Sequence, residues 1–96
     1  MNMRYRIVRT KQYERDVKHM EKMGRYDLHK LDAVLDVLAA GKKLHAQHRD
    51  HRLQGIYRAF RECRIESDWL LVYRYDENRL ILFLTRTGRH TDVFEE

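Results

Sequence analysis

Residues 69–75, WLLVYRY, and 79–86, RLILFLTR, are two apolar runs separated only by Asp76-Glu77-Asn78. Each is short and rich in aromatic and branched residues, and the polar triplet between them suits a tight turn. Over much of their length consecutive positions are apolar, so neither face of the pair is designed for water. That pattern belongs to central strands, not to an edge. A chain that carries such a hairpin has to extend a sheet on either side of it and supply an apolar layer to cover it.

The cover lies upstream. Thr10 can cap a helix over residues 11–23, whose apolar stripe is Tyr13, Val17, Met20 and Met23 or Gly24. Asp27 can cap a second helix over 28–40, with Leu28, Leu31, Val34, Leu35 and Leu38 on one face and Gly41 as its stop. Gly24 to Tyr26 is a short link, so the two helices form an antiparallel hairpin. Tyr5-Arg6-Ile7-Val8 alternates weakly and predicts a first strand, residues 57–65 predict another, and 42–56 read as a basic, histidine-rich loop. The order is β-α-α-β-β-β. The expected fold is α+β, with a helical hairpin on one face of a mostly antiparallel four-stranded sheet, in one domain spanning 1–96. The other face needs cover too, or it is the working surface.

Charge bears on what that surface meets. The net charge is +5, which favours an anionic partner. All six lysines lie in the first 43 residues, and beyond them come nine arginines and no lysine. Arginine grips phosphate at two points and stacks on bases, so the second half is suited to nucleic acid. Cys63 is the single cysteine, which excludes a disulfide within the chain and fits a reducing, cytoplasmic setting. No apolar leader follows Met1, and the apolar run 31–40 is interrupted by Asp32 and Asp36 and too short to span a bilayer. Residues 45–51, HAQHRDH, place His45, His48 and His51 three apart. On a helix that spacing does not bring all three to one ion, and no cysteine pair or second carboxylate sits nearby at ligand spacing, so no metal is expected.

The chain closes on RTGRHTDVF, with Arg86, His90 and Phe94 spaced four apart. A permanent cation, a proton carrier and an aromatic ring are what a site for phosphate and base requires. Taken with the preceding segments, these residues complete a longer string. DHxLxGxYRxFRExxIxxDWLLVYR…LxRTGxHxDxF, over residues 50–94, resembles the YafQ-like branch of the RelE-type bacterial toxins. The resemblance implies this same small α+β fold, and the activity of a ribosome-dependent messenger-RNA endonuclease. It also implies silencing by a cognate acidic antitoxin of ribbon-helix-helix type. The positions it assigns to the site are His51, Asp68, Trp69, Arg86, His90 and Phe94. At Arg64 the chain departs from the pattern, because the family usually has a histidine there.

RNA carries its own nucleophile, so cleavage through the 2′-OH needs a base, an acid and a cation for the charge that develops on phosphorus. On that scheme His90 is the acid, while His51 and Asp68 compete for the base and orienting roles. Arg86 stabilises the transition state, Arg64 assists at phosphate, and Phe94 or Trp69 stacks a base. Strand alternation places Arg64 and Glu62 on the open face and Cys63 and Ile65 on the covered one. Two other functions stay open: a gyrase poison without proton-transfer chemistry, as the resemblance to fold-sharing ParE-type toxins implies, and a nucleic-acid-binding module without chemistry.

Overall fold

The computed structural model describes residues 3–94. Five strands form one sheet: β1 (Arg6–Arg9), β2 (His51–Arg52), β3 (Arg61–Glu66), β4 (Trp69–Asp76) and β5 (Ile81–Gly88). Their order across the sheet is β1-β5-β4-β3-β2. β1 runs parallel to β5 with Arg6 opposite Ile81, and every other pair is antiparallel. The two apolar runs are thus the centre of the sheet, as their composition requires.

Helices α1 (Lys11–Met23) and α2 (Leu28–Ala39) cover one face. Thr10 accepts the Tyr13 N–H at 3.0 Å and Asp27 accepts the His29 N–H at 3.1 Å, so both expected caps are present. Gly24 ends α1 at φ 72°, a left-handed conformation that a side chain would strain. Tyr13 and Met20 of α1 and Leu31, Val34, Leu35 and Leu38 of α2 share a core with Cys63, Leu71, Tyr73, Leu82 and Leu84 of the sheet. A third helix, the single turn α3 (His90–Val93), packs on β4 and β5.

The sheet differs from the sequence reading in two places. It has five strands where four are expected, because His51 and Arg52 pair with Glu62 and Arg61 inside the segment read as a loop. Two residues are too few to display a period. The strand expected over 57–65 begins only at Arg61, because residues 55–57 form a 3₁₀ turn around Gly55 at φ 67°.

Two irregularities position the working end. Between Val72 and Tyr73 the β4–β5 register shifts, with Leu84 opposite Tyr73 and Arg86 opposite Val72, so Thr85 is the extra residue of a bulge. The bulge reverses the alternation of β5. Leu82 and Leu84 face the core, yet Arg86 beyond them shares the opposite face with Val72. β1 also ends at Arg9, leaving the last residues of β5 paired with β4 on one side only. Thr10 and Asp16 take over there. The Thr10 N–H donates to Leu84 O (3.1 Å), its hydroxyl donates to Thr85 O (2.9 Å), and an Asp16 oxygen accepts the Thr87 N–H (3.0 Å).

Candidate RNA-cleaving site

The sheet register lays out the open face in rows. His51, Glu62, Val72 and Arg86 stand opposite one another in sequence across β2, β3, β4 and β5. Strands lie about 4.8 Å apart, so this row is about 14 Å long. Arg64, Leu70 and Gly88 form the next row. Arg64 is on the open face, as alternation predicts, and Cys63 and Ile65 are in the core.

His51 and Arg64 are brought together. They line one cleft of about 460 Å³ with Arg49, Asp50, Glu62, Cys63 and Leu70. His51 Nδ1 lies 2.7 Å from the carbonyl of Arg49. A carbonyl only accepts, so Nδ1 carries the proton of the neutral ring and Nε2 is the atom free to take another. The preceding residue is fixed from beneath: Tyr73 donates its hydroxyl to Asp50 Oδ1, and Arg61 reaches Asp50 Oδ2 at 3.3 Å. Burial, and then this bond to a carboxylate, pushes the Tyr73 hydroxyl well above its ordinary value, so it stays a donor. Burial likewise pushes the Cys63 thiol up, which makes it a packing residue and not a nucleophile. His48 Nδ1 donates to the carbonyl of Arg64 at 2.7 Å and His45 Nδ1 accepts the Gln47 N–H at 3.3 Å. The three histidines of HAQHRDH are therefore engaged with three separate backbone groups. Among the described residues, no group of three or more His, Cys, Asp or Glu could hold a metal ion.

His90 and Phe94 sit on and just after α3, their rings 5.2 Å apart. Tyr57, which the sequence reading passed over, meets Phe94 edge-on at 5.9 Å. Glu62, directly opposite His51, also lines the cleft, which no motif singled out. Its signal was the alternation that places it beside Arg64.

Three further residues stand outside the cleft that His51 and Arg64 share. Trp69 is 1% exposed, with its Nε1 donating to Thr87 Oγ1 (3.0 Å) and its ring edge-on to Tyr26 (5.1 Å). It is a core residue and offers no face to a base, because it keeps the same alternation as Leu71 and Tyr73. Arg86 is committed within the protein. Its Nε and Nη2 grip the two oxygens of Asp16 at 2.8 and 3.2 Å, and Nη2 and Nη1 reach the carbonyls of Asp92 (3.2 Å) and Val93 (3.4 Å). Four of the five guanidinium N–H groups are thereby used. These bonds tie the turn that carries His90 to α1. Asp68 is exposed at the β3–β4 turn and lines a separate depression with Arg25, Tyr26, Glu66, Ser67, Trp69 and Arg89. No residue lines both that depression and the His51 cleft.

This arrangement can be set beside known proteins. Residues 5–95 match the family model described as the bacterial toxin of type II toxin-antitoxin systems, YafQ. The mRNA interferase toxin YafQ of Escherichia coli strain K12 is 34% identical over 84 residues, covering 86% of this chain and 88% of that protein. The crystal structure of YafQ from E. coli BL21(DE3) superposes with a TM-score of 0.85 at 30% identity, covering 94% of this chain and 98% of that one. A metal-bound toxin from Helicobacter pylori superposes at 0.87 with 36% identity, over 94% and 99% of the two chains. An E. coli DinJ–YafQ toxin-antitoxin complex gives 0.85 at 32% identity, over 96% and 99%. The chain belongs to the YafQ family of type II toxins.

Proposed function

We propose that this toxin is an mRNA interferase that cuts message on the ribosome in the cytoplasm, with His51 and His90 exchanging the protons. The observation that carries the reading is the fixed His51 tautomer in a cleft shared with Arg64. His51 Nε2 takes the proton of the 2′-OH, and the oxygen attacks the adjacent phosphorus. Arg64 meets the charge that builds on the phosphoryl oxygens; its planar, permanently charged fork suits that task and no proton transfer. His90 protonates the departing 5′-oxygen. Phe94 stacks a neighbouring base. Arg86 positions His90 and Phe94 through α3, and Asp68, outside the cleft, orients substrate at the rim.

A toxin of this kind is held in check by an antitoxin, as in the E. coli DinJ–YafQ complexes. An acidic partner of ribbon-helix-helix type suits the excess of arginine on the open face. The test is the chemistry of the products on ribosome-bound message. Cleavage through the 2′-OH leaves a 2′,3′-cyclic or 3′-phosphate and a free 5′-hydroxyl. A 5′-phosphate would overturn the mechanism, and gyrase inhibition without RNA cleavage would overturn the activity.

A further inference from the structure

The loop between β2 and β3 carries an exposed apolar tip that the mechanism above does not use. Ile56 is 86% exposed and Tyr57 47% exposed. The loop is nonetheless well held. Leu53 N–H donates to Phe60 O (3.0 Å) at its base, and Tyr57, Arg58 and Phe60 donate to Gln54 (3.3 Å), Gly55 (3.2 Å) and Tyr57 (2.9 Å) within it. Ordering large apolar side chains in water brings no stability, and contiguous exposed apolar surface marks a binding site. Here the surface is contiguous with the candidate site. Tyr57, Phe94 and His90 form a chain of rings, with centroids 5.9 and 5.2 Å apart, that links the loop to α3. In the Tyr57–Phe94 pair the planes meet at 75°. In such an arrangement the ring that presents its edge keeps both faces clear of its partner.

We infer that Tyr57, flanked by Ile56, is a stacking residue that holds one unpaired RNA base beside the cleavage point and narrows which base is accepted there. The inference rests on the reading of His51 and His90 given above. An aromatic face binds any base, so the preference comes from stacking strength and from the space left between loop and α3, not from hydrogen bonds to base edges. A nucleobase fits better than a peptide side chain because the surface is a row of rings that ends at His90, the proposed proton donor.

The experiment is a cycle between protein and message on programmed ribosomes, using the parent, Tyr57→Ala and Tyr57→Phe. Each cleaves an intact message and one with an abasic residue next to the cleavage point. For the parent, the abasic message should raise KM about tenfold. Tyr57→Ala should raise KM for the intact message by a similar factor and be indifferent to the missing base. Tyr57→Phe keeps the ring and should keep the difference between the two messages. An abasic message bound by the parent as tightly as the intact one overturns the inference whatever the variants do. Equal losses for Tyr57→Ala on both messages also overturn it, since they mark a structural role. His90→Ala serves as the control: full cleavage by that variant refutes the underlying mechanism, whereas a dead His90→Ala beside an unaffected Tyr57→Ala refutes only the inference.

Discussion

Asp16 and Arg86, seventy residues apart in sequence, form a two-point ion pair at 2.8 and 3.2 Å that joins α1 to the end of β5. The same carboxylate caps the Thr87 N–H. Their side chains are 11% and 27% exposed, so the pair is only partly screened by water. Asp16→Ala strands a backbone donor and a guanidinium, and should cost about 2–3 kcal/mol of stability. Cleavage should fall even at temperatures where the variant is folded, because α3 loses its tether. The double variant with Arg86→Ala should lose much less than the sum of the two singles, by denaturant titration and by rate.

His51 and His90 are exposed and outside the core. His51→Ala and His90→Ala should therefore abolish cleavage with stability changed by less than about 0.5 kcal/mol. Leu82→Ala and Leu35→Ala remove side chains from the core and should destabilise by about 2–5 kcal/mol. Thermal unfolding beside a cleavage assay separates the two classes. A His90→Ala protein that melts as early as Leu82→Ala would make His90 structural.

Arg64, the position at which the chain departs from the pattern it resembles, lines the cleft with His51. Arg64→Ala should raise the half-saturating ribosome concentration and leave both limbs of the rate–pH curve in place. Arg64→His should add or shift an ionisation near neutral pH. Single-turnover cleavage across pH reads both. An Arg64→Ala protein equal to the parent in rate and saturation would put the residue outside the site.

Alkali should unfold this protein through its tyrosines. Burial raises Tyr13 from its ordinary 10.0 to about 12, and burial raises Tyr73 and Tyr75 further. Each is neutral below its pKa, and the folded state favours that neutral form. Its contribution is complete below about pH 10 and is lost as pH rises through the folded value. Denaturation midpoints should be level near neutral pH and fall from about pH 10 upward. For Tyr13→Phe the fall should be shallower.

Most of the fold was legible because it rests on period and on caps. The α1 and α2 boundaries, Thr10, Asp27 and the central β4–β5 hairpin each have a local cause. What escaped depends on contacts made across the chain. β2 exists only because β3 comes beside it. Trp69 reads equally as a base platform or a core ring until the alternation of β4 is anchored at Tyr73. Arg86 is turned to the open face by a bulge at Thr85, an ordinary strand residue with no mark of its own. Asp16 looks like helix surface until the edge of β5 that β1 leaves uncovered arrives beside it. Of the candidate site, pattern nominates His51, Arg64, His90 and Phe94 individually, and only the register puts the first two in one cleft and Asp68 in another.

The parallel pairing of β1 with β5 makes the molecule intolerant of truncation. Arg6 waits for Ile81, and none of the residues between them can take that place. Contacts so distant along the chain form late and fold slowly. A polypeptide broken anywhere before Ile81 loses the neighbour of β1, the anchor for Asp16, and both His90 and Phe94. Such a fragment has neither a completed sheet nor the proton donor proposed for cleavage, so prematurely terminated copies are expected to be unfolded and harmless rather than partly active.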